Sequence, residues 1–500
     1  MRDPRAETAA GAVSGRRADG LARFHGVPYA AAPVGALRFA PPRDPDPWIG
    51  VRRAADPGPI APQPAGPLAD PARAMREDCL VVDVVTPSLD GAAPVLVWLH
   101  GGGYFAGSSI EPDTDGERLA AEHGLVVVSV THRLGLLGHL DLTDDGVPGS
   151  GNAGLLDLVA ALRWVRGSIA AFGGDPGRIT VAGHSGGGGK TSMLLAMPAA
   201  RGALDGAVVM AGPEFDLNTV ERARGTRDAL LHELGIRAAD PVDRLRDVPV
   251  GDLLGAQERL GVGVVPGPDS MRFSPVVGRP ELPLSPSLAF ATGVGAAVPT
   301  ILGTARDEAL IAVAGRHDGA DAIDGTGAAA REPGEEELLE VIADGLDRPG
   351  DAAEAVRRYR GIHPGASRRE LLLRMVSDQF RIRTIRMAEA RERGGAGGTF
   401  VYRYDLAGPG GDAAHGAEVG AFFGHRGDGE AARTLARFAR TGRPSGSLPS
   451  YSADSRHELR FADLGATVEA DPDAAERRAW DGIPTGPASN PWARLLRLGL

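Results

Sequence analysis

Hydrophobic positions along the chain fall into short continuous runs separated by segments with helical spacing. β-Branched and aliphatic residues dominate 79–87, 93–100, 125–133, 178–185, 204–212 and 298–304. Such runs are typical of strands buried on both faces of a parallel sheet. Segments 113–124 and 154–174 lie between these runs and have the pattern of amphipathic helices. Strands alternating with helices predict an α/β fold: a mostly parallel central sheet with helices on both faces.

Two longer helical stretches, at about 220–260 and about 334–393, interrupt this alternation. They are either helical insertions over an active-site mouth or ordinary packing helices. The Gly/Ala/Asp-rich segment 312–334 predicts a loop. Because the chain shows no internal repeat and no clean linker, we expect a single domain over residues 1–500.

Composition narrows the possible partners. The net charge of −11 argues against a nucleic-acid partner. The one cysteine, Cys79, excludes an intrachain disulfide. Neither a signal-peptide run nor an apolar stretch of membrane-spanning length is present, so we expect a cytoplasmic protein with no membrane partner. No zinc-ligand spacing is found, and no metal or organic cofactor is expected.

The strongest chemical signal is Gly183-His184-Ser185-Gly186-Gly187, which follows a predicted strand and precedes a predicted helix. This is the setting of a nucleophile elbow, a sharp turn that projects a serine hydroxyl from the sheet. Small residues at 183 and 187 allow strand and helix to approach closely. The N–H of Gly186 is then available to an oxyanion. His184 is either a packing residue or a contributor to the local hydrogen bonds.

A second signal is the loop His100-Gly101-Gly102-Gly103-Tyr104, at the end of the run 93–100. Consecutive glycines leave their backbone N–H groups unshielded. In an α/β-hydrolase, a loop in this position faces the elbow and completes the oxyanion hole. The alternative is a flexible glycine-rich turn.

A serine nucleophile needs a histidine base and an acid that orients the base, in the chain order Ser, Asp or Glu, His. Asp307 and Glu308 directly follow the run 298–304, and spacing does not separate them. The base must come later in the chain. The candidates are His363, His415, His425 and His457, of which His415 lies in a small-residue turn after a predicted strand.

Other functions fit the sequence less well. Lys190-Thr191 follows a run of glycines, but Gly183 lies one residue too far upstream for a phosphate-binding P-loop. Segment 141–146 matches a calcium loop only weakly, since Thr143 stands at its third position. A non-catalytic binding protein on the same fold is a third class, but such proteins usually lack a triad member.

These motifs together resemble the type B carboxylesterases, the group that includes cholinesterases and bacterial p-nitrobenzyl esterases. The resemblance runs from about residue 10 to about residue 460. Matching segments are FHGVPYAAAPVGALRF (24–39), EDCLVVDVVTP (77–87), VLVWLHGGGYFAGSS (95–109), RLGLLG (133–138), GNAGLLD (151–157), FGGDPGRITVAGHSGG (172–187), VPTILGTARDEAL (298–310), SDQF (377–380), FVYRYDL (400–406) and HGAEVGAFFG (415–424).

The resemblance implies an α/β-hydrolase fold with helical insertions over the active site, and hydrolysis of small carboxylic esters through an acyl-enzyme. It implies Ser185 as nucleophile, Glu308 as triad acid and His415 as base. Gly102, Gly103 and Gly186 would be the oxyanion donors. The same triad also serves acyl transfer and the hydrolysis of amides or carbamates, which remain alternatives.

The chain departs from the family pattern at several positions. His184 stands where glutamate is common, and Gly186 where alanine is common. We expect the N–H of residue 186 to serve equally well with or without a methyl group. The usual disulfide partner of Cys79 is absent. The loop 60–78 contains no aromatic residue, so choline esters are not expected as substrates.

Overall fold

The structure is a computed structural model. It describes residues 3–65, 73–214, 217–237, 240–262, 271–310, 331–407, 412–427, 429–463, 465–485 and Leu495.

A central sheet of eleven strands organises the described residues, in the order β16-β15-β14-β13-β10-β9-β7-β8-β6-β4-β3. Its strands are β3 Arg16–Ala18, β4 Leu21–Pro28, β6 Val81–Thr86, β7 Ala93–Leu99, β8 Val126–Val130, β9 Gly174–His184, β10 Gly206–Met210, β13 Thr300–Ala305, β14 Thr399–Tyr404, β15 His457–Ala462 and β16 Gly465–Ala470. Two small sheets hold β1 Arg5–Thr8, β2 Gly11–Ser14 and β5 Val51–Arg53, and β11 Asn218–Thr219 and β12 Val276–Val277.

The middle of the sheet is parallel, as predicted. Strands β8, β7, β9, β10, β13, β14 and β15 run in one direction, and each strand outside them pairs with its neighbours in antiparallel fashion. The direction expected for the run 79–87 was wrong, because β6 is antiparallel to both β4 and β8. All six residues of β6 are buried. A continuous hydrophobic run reports burial on both faces, and that burial does not depend on strand direction.

Helices cover the sheet and include both long stretches seen in the sequence. Their bounds are α1 Glu117–His123, α2 Gly135–His139, α3 Ala153–Ser168, α4 Gly186–Ala196, α5 Val220–Glu233, α6 Pro241–Asp247, α7 Val250–Arg259, α8 Pro286–Ala291, α9 Glu335–Asp344, α10 Ala352–Ile362, α11 Arg368–Arg393, α12 Ala417–Phe422, α13 Glu430–Thr441 and α14 Ala474–Ala479. Among the described residues, no helix is both long and apolar enough to span a membrane.

Both long helical stretches pack against segments that follow the parallel strands. Helices α5 to α7 share an apolar cluster with Phe105, just beyond the glycine-rich loop. On α11, the Ser377 hydroxyl accepts a hydrogen bond of 3.0 Å from the N–H of Ala309. These contacts agree with helical insertions at the active site. Most of the predicted loop 312–334 and part of the loop 60–78 lie outside the described residues.

A buried ion pair joins the end of β8 to helix α3. Arg133 donates to Asp157 from Nε at 2.8 Å and from Nη2 at 2.6 Å, and its backbone N–H donates to the same carboxylate at 3.1 Å. The side chains are 3% and 0% exposed. Because both side chains are buried, removing the charge of one partner leaves the other charge buried and unpaired.

Replacing Asp157 with asparagine should therefore lower the free energy of unfolding by about 3–5 kcal/mol. Glu370→Gln is the matched control, since it breaks an exposed pair with Arg374 in which both side chains are about half exposed. The control substitution should lower the free energy of unfolding by less than about 1 kcal/mol. Urea unfolding followed by circular dichroism measures both changes. Equal losses in the two variants would contradict a structural role for the buried pair.

Candidate active site

The turn between β9 and α4 holds Ser185 in an unusual backbone conformation. Its φ is 57° and its ψ is −122°, in a region that residues other than glycine rarely adopt. The Ser185 N–H donates to the Met210 carbonyl at 2.9 Å. A Cβ at Gly183 would lie 2.3 Å from the Gly187 carbonyl oxygen. The structure therefore has the strained elbow predicted from the motif, with small residues where strand and helix meet.

Two adjacent carboxylates follow β13, and their environments differ. Glu308 is fully buried, and its Oε1 accepts a hydrogen bond of 2.8 Å from the Ala305 N–H. Asp307 instead forms an ion pair of 2.7 Å with Arg306, and its side chain is 27% exposed. The structure thus distinguishes the two candidates that spacing left open, and only Glu308 points into the interior.

His415 lies in the turn after β14 and contacts that buried carboxylate. Its Nδ1 is 2.5 Å from Oε2 of Glu308. The two segments are joined by backbone contacts as well, since the Asp307 N–H donates to the Ala413 carbonyl at 2.9 Å. A fixed backbone on both sides holds the imidazole against the carboxylate.

The other candidate histidines lie elsewhere. His363 pairs with Glu476 at 3.1 Å, and His425 pairs with Asp115 at 3.3 Å. His457 begins the strand β15 near the sheet edge. Among the four, His415 is the one brought to Glu308.

Burial shifts the pKa values of both His415 and Glu308. It lowers the pKa of His415 to about 3, so the imidazole is neutral at pH 7 and can accept a proton. Burial also raises the pKa of Glu308, and the hydrogen bond from the Ala305 N–H opposes that rise.

The glycine-rich loop after β7 lies directly beside the elbow. Gly102 and Gly103 have φ values of 84° and 62°, which suit glycine. The Ala106 N–H donates to the Gly102 carbonyl at 3.1 Å. Further along, the Gly107 N–H donates to the Gln63 side chain at 2.8 Å, and Gln63 donates back to the Gly107 carbonyl at 3.0 Å. A Cβ at Gly101 would lie 3.5 Å from Cβ of Ser185, and Gly103 lies against Gly186, so the loop that carries Gly102 and Gly103 rests on the elbow.

We expected residue 186 to work equally well with or without a methyl group, but the structure leaves no room for one at this position. A Cβ on this residue would lie 2.0 Å from the carbonyl oxygen of Gly103 and 2.7 Å from its Cα. The loop therefore approaches the elbow more closely than an alanine would allow.

His184 and Glu418 form a buried contact next to His415 that sequence reasoning did not identify. The His184 ring centroid is 4.4 Å from that of His415, and its Nε2 is 3.9 Å from Oε1 of Glu418. Burial lowers the pKa of His184 and raises that of Glu418. The sequence signal that could have identified this contact was Glu418, the glutamate of the segment HGAE (415–418).

The nucleotide and metal hypotheses find no support in the site. Lys190 is fully buried in α4, so its amine is not accessible to a phosphate group. Within the described ranges, no group of three or more His, Cys, Asp or Glu side chains could hold a metal ion.

Comparison with known proteins decides the family. The carboxylesterase family matches residues 2–471 of the chain. The chain belongs to the carboxylesterase family. The resemblance seen in its motifs is thereby confirmed.

Relatives of the chain include bacterial proteins named as hydrolases. The para-nitrobenzyl esterase of Bacillus subtilis (strain 168) is 39% identical over 305 residues, which cover 60% of this chain and 62% of the relative. The phenmedipham hydrolase of Pseudarthrobacter oxydans is 38% identical over 317 residues, covering 61% and 62%. These matches thus span less than two thirds of each relative.

Solved structures of the family match nearly the whole chain. A PNB esterase superposes with a TM-score of 0.81 at 32% identity, covering 96% of this chain and all of the other. A carboxylesterase of Geobacillus stearothermophilus gives 0.82 at 32% identity, covering 95% of this chain and all of the other. The predicted α/β-hydrolase fold is confirmed.

The close approach of Gly186 to Gly103 predicts the effect of adding a methyl group at this position. Gly186→Ala should lower kcat on p-nitrophenyl butyrate by about 10–100-fold, because the added methyl displaces Gly103 and misplaced site groups are costly. The matched control is Gly225→Ala, at a helical glycine with nothing within 4 Å of the added Cβ. The control should keep its kcat. An unchanged kcat in Gly186→Ala would show that the loop accommodates a methyl group.

Proposed function

We propose that this chain hydrolyses carboxylic esters of small molecules through an acyl-enzyme on Ser185. The observation that carries the proposal is the contact of 2.5 Å between His415 Nδ1 and Glu308 Oε2. The ring centroid of His415 lies 4.4 Å from that of His184, the residue before Ser185 in the strained elbow. A nucleophile, a base and an orienting acid in this chain order form the triad of serine hydrolases.

The first half of the reaction forms the acyl-enzyme. His415 is neutral at pH 7, so its Nε2 takes the proton from the Ser185 hydroxyl as the oxygen attacks the ester carbonyl carbon. Glu308 accepts the Nδ1–H hydrogen bond, which fixes the imidazole tautomer and stabilises the imidazolium. The protonated imidazole then gives its proton to the leaving alkoxide, and the alcohol departs.

The backbone N–H groups of Gly102, Gly103 and Gly186 are proposed as the donors to the negative oxygen of the tetrahedral intermediate. Such donors act in a site from which water is excluded, and losing one typically costs about 10²–10³ in rate. The carbonyl of Gly102 and the backbone of Gly107 are both held by hydrogen bonds, so the loop enters the reaction already ordered.

Water completes the second half of the reaction. His415 removes a proton from the water molecule, and the oxygen attacks the acyl carbon. Collapse of the second tetrahedral intermediate releases the carboxylic acid and returns the proton to Ser185. The mechanism uses side chains and backbone N–H groups of this chain together with water, and it includes no metal or organic cofactor.

The substrate class rests on the names of the relatives, which include a para-nitrobenzyl esterase and a fumonisin B1 esterase. Acyl transfer and the hydrolysis of amides or carbamates use the same triad and remain the alternatives. The cytoplasmic location stays a prediction, which cell fractionation tests.

The triad assignment is tested with p-nitrophenyl acetate, butyrate and octanoate. Ser185→Ala should reduce kcat/KM by about 10³-fold or more, the scale on which loss of a triad member acts. By the same reasoning, His415→Ala and Glu308→Gln should each reduce kcat/KM by at least 10²-fold. Release of p-nitrophenolate at pH 7.5 measures all three.

Asp307→Asn is the matched control, because it alters the neighbouring carboxylate, which pairs with Arg306 and does not contact His415. Its activity should stay near that of the wild type. Ester hydrolysis that persists in Ser185→Ala would refute the proposal. Transfer of the acyl group to an added alcohol, with no free acid formed, would favour acyl transfer.

A further inference from the structure

Lys190 is the only lysine of the chain, and it is fully buried. It lies on α4, the helix that begins at the proposed nucleophile. Its Nζ donates to the carbonyl oxygen of His100 at 3.4 Å. Buried lysines are rare unless they are paired, and the proposed mechanism does not use this one.

This hydrogen bond joins two segments that would each supply oxyanion donors. His100 is the first residue of the loop that carries Gly102 and Gly103, while α4 begins with Gly186. The two backbones are in close contact here, since a Cβ at Gly187 would lie 2.0 Å from the Leu99 carbonyl oxygen. The Lys190 side chain thus links the nucleophile helix to the base of the glycine-rich loop.

The surroundings of Lys190 contain imidazoles and, within the described residues, no carboxylate partner. Burial lowers the pKa values of three histidines, and the positive charge of Lys190 lowers them further: His100, at the end of β7; His132, after β8; and His139, on α2. The other polar groups facing this region are Tyr104, whose hydroxyl lies beside Gly189, and the Arg133–Asp157 pair next to His139.

We propose that Lys190 is a positioning residue of the oxyanion hole, whose ammonium form holds the glycine-rich loop and favours negative charge on the substrate oxygen. The proposal rests on the esterase function proposed above. A buried cation without an anionic partner is unfavourable in the resting enzyme. The oxyanion formed in the reaction partly offsets that cost, so the charge stabilises the transition state more than the ground state.

The pH dependence of kcat should follow the protonation of Lys190. Burial lowers the pKa of Lys190 to about 7. The ammonium form, present below that pH, is the active one, and it loses its proton as the pH rises. Because the three neighbouring histidines have lowered pKa values, they stay neutral over the same range. The kcat of the wild type should therefore decline to a lower plateau above pH 7.

The experiment compares kcat and KM on p-nitrophenyl butyrate from pH 5.5 to 9 for the wild type, Lys190→Met and Lys190→Gln. At pH 6, Lys190→Met should lower kcat by about tenfold, less than the loss of a direct oxyanion donor, with KM little changed. Lys190→Gln, which can still donate a hydrogen bond, should recover part of kcat. Neither variant should show the decline above pH 7.

Ser192→Ala is the matched control, since Ser192 is equally buried on α4 but donates to Gly189 of its own helix at 2.8 Å. Ser192→Ala should keep the wild-type kcat and the decline of kcat above pH 7. Active-site titration with a p-nitrophenyl phosphate triester, which reacts with the serine, counts the folded sites in each preparation. All values of kcat are calculated per titrated site.

The outcomes separate this proposal from the esterase assignment. If the wild type hydrolyses no ester, the proposed function fails. If hydrolysis depends on Ser185 but Lys190→Met keeps the wild-type kcat, or keeps the alkaline decline, only the role of Lys190 fails. A wild type without any decline between pH 6 and 9 overturns that role too, even where Lys190→Met does not fold.

Discussion

Close backbone contacts that only glycine permits hold the site together at the elbow. Ser185 keeps a φ of 57° because β9 and α4 meet at Gly183 and Gly187, with no room for a side chain at either position. The glycine-rich loop then rests on the same turn through Gly186 and Gly103. One set of contacts therefore fixes both the serine and the loop that faces it.

The parallel part of the sheet brings the remaining groups to that turn. Strands β7, β9, β13 and β14 end at the same edge, and the segments that follow them carry the glycine-rich loop, Ser185, Glu308 and His415. Since carboxyl ends of parallel strands meet at one edge, residues far apart in the chain become neighbours. The insertion helix α11 packs on these segments through Ser377 and Phe380, and the side chains of Glu308 and His415 are buried there.

Burial acts differently on the charged groups of this interior. Arg133 and Asp157 neutralise each other through two side-chain hydrogen bonds, so their pair joins helix α3 to the end of β8 and stabilises the fold. Lys190 has a carbonyl oxygen as its hydrogen-bond acceptor and no carboxylate among the described residues. A buried charge left without a counter-ion can respond to one that appears during a reaction, and a satisfied pair cannot.

The sequence by itself determined the strand–helix alternation, the elbow at Ser185 and the glycine-rich loop, because these depend on local pattern and backbone conformation. Spacing left Asp307 and Glu308 equivalent and left several histidines open, and the family resemblance indicated one of each. Only the tertiary structure decided the contact between Glu308 and His415, which are 107 residues apart, the space at Gly186 and the surroundings of Lys190. Each of these depends on distances between segments that only the packed sheet brings together, and no local pattern encodes them.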